Sequence, residues 1–92
     1  YDEAEANILR DKSGGWRVKA QTEIADFNEI VGANLPEEEF DTVGGLVINR
    51  FGRLPKRGET TEIDGFRFQI LRADSRRLYS LLVEQLPQAS LL

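Results

Sequence analysis

The sequence predicts an α+β domain with a small antiparallel or mixed sheet and two main helices. In the first half of the chain, apolar residues recur at helical spacing, whereas after Pro55 apolar and polar residues alternate, as they do in strands. Asp64-Gly65 lies between two alternating runs, and this dipeptide is a strong hairpin signal. Strands and helices that are grouped rather than strictly alternating are typical of α+β domains.

The composition limits the classes of function. The chain has 92 residues, 40% of them hydrophobic and 30% charged, which is typical of one small globular domain. It has no Cys and no His, so disulfides, thiol nucleophiles and the commonest general base are excluded. No apolar run approaches the ~20 residues that span a bilayer. We therefore do not expect an enzyme or a membrane span.

The first third of the chain predicts a hairpin followed by a helix. Residues 1–6 are acidic and resemble a linker rather than a signal peptide, and since the chain does not begin with Met we expect it to be part of a longer protein. Residues 7–10 and 16–20 are predicted strands, joined by a turn whose two glycines accept positive φ. Trp16 is expected at the core or its rim.

The first predicted helix begins at Thr22, whose hydroxyl is expected to cap it, and ends at Gly32. Its buried stripe is formed by four apolar residues: Ile24, Phe27, Ile30 and Val31. Pro36 suits a first helical position, so a single helical turn is expected before the next helix.

The central helix has a start and a stop signal. Asp41 or Thr42 can cap its first amides, and Gly52 and Pro55 end it. Gly44-Gly45 in its first turn costs roughly 1 kcal/mol per glycine relative to alanine. Glycines are used in such places where another backbone comes very close or where the helix start faces a ligand. Close packing against a sheet is the favoured interpretation.

An antiparallel meander is predicted after Pro55. Residues 60–63 and 66–70 flank the Asp64-Gly65 turn, and residues 74–77 form a second turn before a strand over residues 78–86. Residues 88–92 are expected to be a tail, which leaves residues 7–87 as the domain.

Short motifs with fixed spacing carry a family resemblance. They are Phe40–Val47, Gly52–Pro55, Gly58-Glu59, Ile63–Phe68 and Ala73–Arg77, with Trp16 and Ile24–Asn28 also fitting the pattern. Together they resemble the CorC/HlyC transporter-associated domain over roughly residues 14–86. The resemblance implies a fold similar to a subdomain of some FAD-binding oxidoreductases. It also implies a place after a pair of CBS domains in proteins of magnesium and cobalt efflux.

The function that the resemblance implies is that of a non-catalytic regulatory domain. It would modulate ion transport by docking on the CBS domains of the same polypeptide, on a second copy, or on a membrane ion transporter. The expected location is the cytoplasm, at the inner face of the membrane through the full-length protein or a partner. A small-ligand module that binds a nucleotide or a divalent cation is the alternative.

An acidic run precedes the central helix, and it is the candidate metal site. Glu38, Glu39 and Asp41 offer the carboxylate oxygens that magnesium prefers. The simpler interpretation is that these acids stay in solvent and stabilise the helix dipole. No other cofactor is predicted.

Basic residues are concentrated later in the chain. Residues 1–46 carry a net charge of −7 and residues 47–92 a net charge of +3. Seven of the eight basic residues in this half form a candidate basic cluster: Arg50, Arg53, Lys56, Arg57, Arg72, Arg76 and Arg77. We predict that Arg76 and Arg77, with Gly44 and Gly45, form an anion-binding or partner surface, although solvated arginines are the simpler interpretation. Because no aromatic residue is interleaved with the basic run, nucleic acid is disfavoured.

Overall fold

The computed structural model describes residues 7–87 as five antiparallel strands and two helices. The predicted linker, residues 1–6, and the predicted tail, residues 88–92, lie outside the described residues. The sheet order is β1-β2-β5-β4-β3. In chain order the elements are β1 (Ile8–Arg10), β2 (Trp16–Lys19), α1 (Ile24–Val31), α2 (Val43–Phe51), β3 (Thr60–Ile63), β4 (Phe66–Ala73) and β5 (Leu78–Gln85). The predicted α+β class is confirmed.

A single apolar core lies between the helices and one face of the sheet. The Phe27 ring of α1 packs against two rings of β4, with centroids 6.0 Å from Phe68 and 6.3 Å from Phe66. Phe68 lies opposite Val83 in the β4–β5 register, and both are completely buried. Trp16 is partly buried at the edge of this core, as the sequence predicts. Ile30, predicted in the buried stripe of α1, is instead 41% exposed because it lies at the margin of that stripe.

The hairpin between β3 and β4 is the one that the sequence predicts. Asp64 and Gly65 both have positive φ, at 52° and 82°, and two such residues form the turn whose twist matches a two-residue hairpin. β4 is longer than predicted. It continues to Ala73 through an irregular register, since Arg72 and Ala73 still pair with β5. A bulge of this kind breaks the alternation on which the predicted end of the strand rested.

Three further local predictions are wrong. The N-cap of α1 is Glu23 rather than Thr22, and its side chain makes no capping hydrogen bond. Residues 37–39 form a turn, not a helical turn before α2. Gly15 does not have a positive φ, although the sequence predicts one. A glycine is needed at this position for a different reason, because a Cβ there would lie 2.5 Å from the Val83 carbonyl oxygen.

The starts of the two helices are joined by backbone hydrogen bonds, and this explains the missing cap. The Ile24 amide donates to the Asp41 carbonyl at 3.0 Å, and the Val43 amide donates to the Thr22 carbonyl at 2.9 Å. A neighbouring backbone thus satisfies the amide that a capping side chain would otherwise serve. The Thr22 hydroxyl is left buried, with no hydrogen-bond partner among the described residues.

Valine substitutions at Thr22 and Thr42 distinguish the unpaired buried hydroxyl from the capping hydroxyl. Thr22→Val replaces an unpaired buried hydroxyl by a methyl group of similar volume, so we expect the free energy of unfolding to rise by about 1 kcal/mol. Thr42→Val removes the hydroxyl that accepts from the Gly45 amide at 3.1 Å, so we expect a loss of about 1 kcal/mol. Urea unfolding measures both. A destabilised Thr22→Val protein would mean that the Thr22 hydroxyl is hydrogen-bonded.

Candidate functional site

A surface depression of about 460 Å³, here named the basic cleft, collects all four residues of the predicted anion or partner surface. Its lining residues are Ala20, Gln21, Thr42, Gly44, Gly45, Ile48, Arg76, Arg77, Leu78 and Tyr79. Gly44 and Gly45 lie at the start of α2, whereas Arg76 and Arg77 lie in the turn before β5. Residues more than thirty positions apart in the chain therefore share one surface.

The backbone of Ala20 holds the two sides of the basic cleft together. Its amide donates to the Tyr79 carbonyl at 2.9 Å, and its carbonyl accepts from the Gly44 amide at 2.8 Å. A Cβ on Gly44 would lie 2.7 Å from the Ala20 Cβ and 2.8 Å from the Ala20 carbonyl oxygen. The predicted close packing is confirmed for Gly44, because only glycine fits at this distance.

The helix start itself has few donors left for a ligand. The Val43 and Gly44 amides donate to carbonyls of Thr22 and Ala20, and the Gly45 amide donates to the Thr42 hydroxyl. These three amides are therefore already engaged within the protein. A ligand in the basic cleft would instead meet the arginine side chains and the apolar surface of Ile48 and Leu78.

Asp74 fixes the conformation of residues 74–77, here named the arginine turn. One of its carboxylate oxygens accepts from the Arg76 and Arg77 amides at 2.7 and 2.9 Å, and the other accepts from the Tyr79 hydroxyl at 2.7 Å. The tyrosine hydrogen bond, followed by the two amides, lowers the pKa of Asp74 below its usual value, and the same bond raises the pKa of Tyr79. Asp74 is thus ionised at neutral pH and orders the turn.

Two arginines pack on Tyr79, Arg72 of β4 and Arg77 of the turn. The guanidinium carbons of Arg72 and Arg77 lie 4.9 and 5.9 Å from the centre of its ring, within the range of a cation–π contact. Across residues 7–87 the ion pairs are Arg17–Asp11, Arg53–Glu59 and Arg67–Glu84. Neither Arg76 nor Arg77 takes part in any of these pairs, so both are available to an acidic ligand.

The predicted basic run does not form one patch. Arg53 pairs with Glu59, whose pKa this contact lowers to about 2. Lys56 and Arg57 line a separate depression beside the turn at Asp74. Arg50 is exposed near the end of α2 and is not among the residues that line the basic cleft.

The acidic residues of the predicted metal site are divided between two depressions. Glu38 and Glu39 line one with residues 34–37, whereas Asp41 lines another with Glu23. Among residues 7–87 no three acidic side chains come together as a set of metal ligands. Glu37 is engaged as an acceptor from the Asn28 side-chain amide at 3.1 Å. The metal site remains a prediction.

Sequence reasoning missed Ala20, Ile48, Asp74 and Tyr79 as parts of this site. The sequence did indicate a role for Asp74, since an Asp at the start of a turn commonly accepts hydrogen bonds from the amides two and three residues later. The other three had none, because their positions in the basic cleft depend on strand register and helix packing.

The fold and the basic cleft define a small α+β domain with an open charged surface. The chain belongs to the CorC_HlyC family of transporter-associated domains, whose model matches residues 10–87. This confirms the resemblance predicted from the sequence, and the family is that of a transporter-associated domain rather than of an enzyme. No helix in the described part of the chain is long and apolar enough to cross a membrane.

Related proteins and solved structures agree with this assignment. The chain is 47% identical to the magnesium and cobalt efflux protein CorC of Escherichia coli K12 over 91% of its own length, but it spans only 29% of that relative. It is 46% identical, with a TM-score of 0.82, to the solved Mg²⁺ and Co²⁺ transporter (CorC) associated region of Neisseria meningitidis MC58, over 87% of this chain and 99% of that one. A transporter-associated domain of a Xylella fastidiosa hemolysin, solved with Mg²⁺ and Mn²⁺, is 27% identical with a TM-score of 0.78, over 88% and 99% of the two chains.

The two glycines at the start of α2 are expected to respond differently to alanine. Gly44→Ala forces a Cβ into Ala20, and overpacking of this kind costs about 1–3 kcal/mol in the free energy of unfolding. Gly45→Ala is the matched control: its Cβ would meet only the Thr42 hydroxyl, at 3.3 Å, and the change stays within about 1 kcal/mol because alanine favours helix. Urea unfolding of both variants measures the difference. Equal effects would contradict the close approach at Gly44.

Proposed function

We propose that this chain is a non-catalytic regulatory domain of a CBS-domain protein of magnesium and cobalt efflux. It modulates ion transport by docking, through the basic cleft, on the CBS domains of the same polypeptide. The observation that carries the proposal is the pair of exposed arginines beside an apolar floor, held in place by Asp74 but outside the ion pairs of the described residues. The relationship to CorC supplies the context of ion efflux.

The chemistry of the basic cleft favours docking over catalysis. The whole chain lacks His and Cys, and the Tyr79 hydroxyl already donates to Asp74. Guanidinium groups bind carboxylates through paired hydrogen bonds, and apolar surface beside them adds burial to the same contact. We therefore infer an acidic protein surface as the ligand, on the cytoplasmic side of the membrane. A membrane ion transporter or a second copy is a further partner of the same kind.

Charge reversal in the basic cleft tests this proposal. The domain is titrated by calorimetry into the CBS pair that the same gene is expected to encode ahead of Tyr1. We expect Arg76→Glu/Arg77→Glu to weaken binding at least tenfold, since two attractive charges become repulsive. Lys12→Glu/Arg50→Glu is the control, because it reverses two exposed charges that do not line the basic cleft. Equal affinity of the two variants would refute docking through this surface.

Divalent-cation binding is the second candidate, and the Xylella relative solved with Mg²⁺ and Mn²⁺ favours it. An amide NMR titration with magnesium at near-physiological salt separates the candidates. If the domain acts by docking alone, we expect no saturating shifts, since Glu38 and Glu39 lie in a different depression from Asp41 and no three acidic side chains among residues 7–87 come together as metal ligands. Saturating shifts at Glu38, Glu39 and Asp41, lost in the alanine variants, would make the domain a cation sensor instead.

A further inference from the structure

A second depression borders the arginine turn, and it is formed by different residues from the basic cleft. It has a volume of about 420 Å³ and is here named the loop depression. Arg76 and Arg77 do not line it, so the arginine turn gives its first two residues to the loop depression and its last two to the basic cleft. The lining residues are Leu54, Pro55, Lys56, Arg57, Ala73, Asp74 and Ser75.

Both sides of the loop depression are held in place by hydrogen bonds. On one side, the Lys56 amide donates to the Glu59 carboxylate at 2.6 Å, and the Glu59 amide donates to the Lys56 carbonyl at 3.1 Å. The Gly58 amide ties the same loop to β4, because it donates to the Ile70 carbonyl at 2.9 Å. On the other side, Asp74 accepts from two amides of the arginine turn. The site is therefore ordered before any ligand binds.

The loop depression has more hydrogen-bond donors than acceptors. Lys56, Arg57 and Ser75 are exposed, and neither basic residue takes part in the ion pairs among residues 7–87. Within that part of the chain, the Ser75 hydroxyl and the amides of Arg57 and Ser75 donate to no other group. Asp74 is the one acid among the lining residues, and both of its oxygens already accept hydrogen bonds. The lining is thus net positive and suits an anion.

The number of donors favours a phosphate over a carboxylate. A carboxylate offers two oxygens, whereas a phosphate monoester offers three and carries a charge of about −1.5 to −2 at pH 7. It can accept from the Lys56 ammonium, the Arg57 guanidinium and the Ser75 hydroxyl at the same time. The rest of the lining is apolar, since Pro55 is buried and Leu54 is partly buried. Such a surface suits the organic part of an ester better than it suits inorganic phosphate.

We propose that the loop depression binds the phosphate of an organic phosphate monoester, carried either by a lipid headgroup or by a small soluble molecule. Lys56 and Arg57 supply the charge, and Ser75 supplies the neutral donor. This site lies beside the proposed docking surface and does not rest on it, because the two depressions share no lining residue.

Glycerol 3-phosphate is the soluble probe, in an amide NMR titration of the 92-residue chain. We expect saturating shifts centred on residues 56–57 and 75. Lys56→Gln/Arg57→Gln should weaken binding at least tenfold, since one hydrogen bond to a charged group is worth about tenfold. Ser75→Ala should weaken it about threefold. The control, Lys12→Gln/Arg50→Gln, removes two exposed charges outside both depressions and should change the affinity by no more than about twofold.

Cosedimentation with phosphatidylcholine vesicles, in which one lipid in five is phosphatidic acid, tests the lipid source. Sedimentation without shifts from glycerol 3-phosphate would identify a lipid headgroup, and the reverse would identify a soluble ester. Either result supports the site if Lys56→Gln/Arg57→Gln abolishes it. Binding of neither probe would overturn the proposal, and so would binding that is lost only in Arg76→Gln/Arg77→Gln. The calorimetric test of docking changes Arg76 and Arg77 instead of Lys56 and Arg57, so the two proposals fail separately.

Discussion

The basic cleft depends on the backbone contacts of Ala20. Its amide bonds to β5 and its carbonyl bonds to the first turn of α2, so this residue ties the sheet to the central helix. The helix can approach this closely only because position 44 has no side chain. The glycine that weakens the helix on propensity grounds is therefore required by packing. The arginine turn and the helix start border one surface as a consequence.

Arg76 and Arg77 of the basic cleft take part in none of the ion pairs among residues 7–87. Elsewhere in the described chain, Arg17, Arg53 and Arg67 each pair with a carboxylate. In the arginine turn, the one carboxylate is Asp74, and it accepts from backbone amides and from a tyrosine hydroxyl instead of from guanidinium groups. Asp74 thus orders the turn without forming an ion pair with its arginines. Asp74 therefore sets the conformation of the turn, whereas Arg76 and Arg77 supply its positive charge.

The proposed function places the ligand on an exposed surface of this small domain. Its apolar residues are used in one core between the helices and the sheet, and the depressions that remain are open. The chain belongs to a family of transporter-associated domains, but it spans only 29% of the Escherichia coli relative. The proposed role of the domain therefore rests on the exposed arginines and on the apolar floor beside them rather than on an enclosed pocket.

The sequence by itself determined the features that depend on neighbouring residues. A cap at Asp41 or Thr42, the end of α2 at Gly52 and the turn at Asp64-Gly65 follow from local backbone preferences; the structure has the cap at Thr42 and has the other two as predicted. Tertiary structure decided what depends on residues far apart in the chain. Thr22 has the right residue type for a cap, but the backbone of residues 41–43 takes that role. Arg76 and Gly44 line one depression only because strand register and helix packing bring their parts of the chain together, and no local pattern encodes that arrangement.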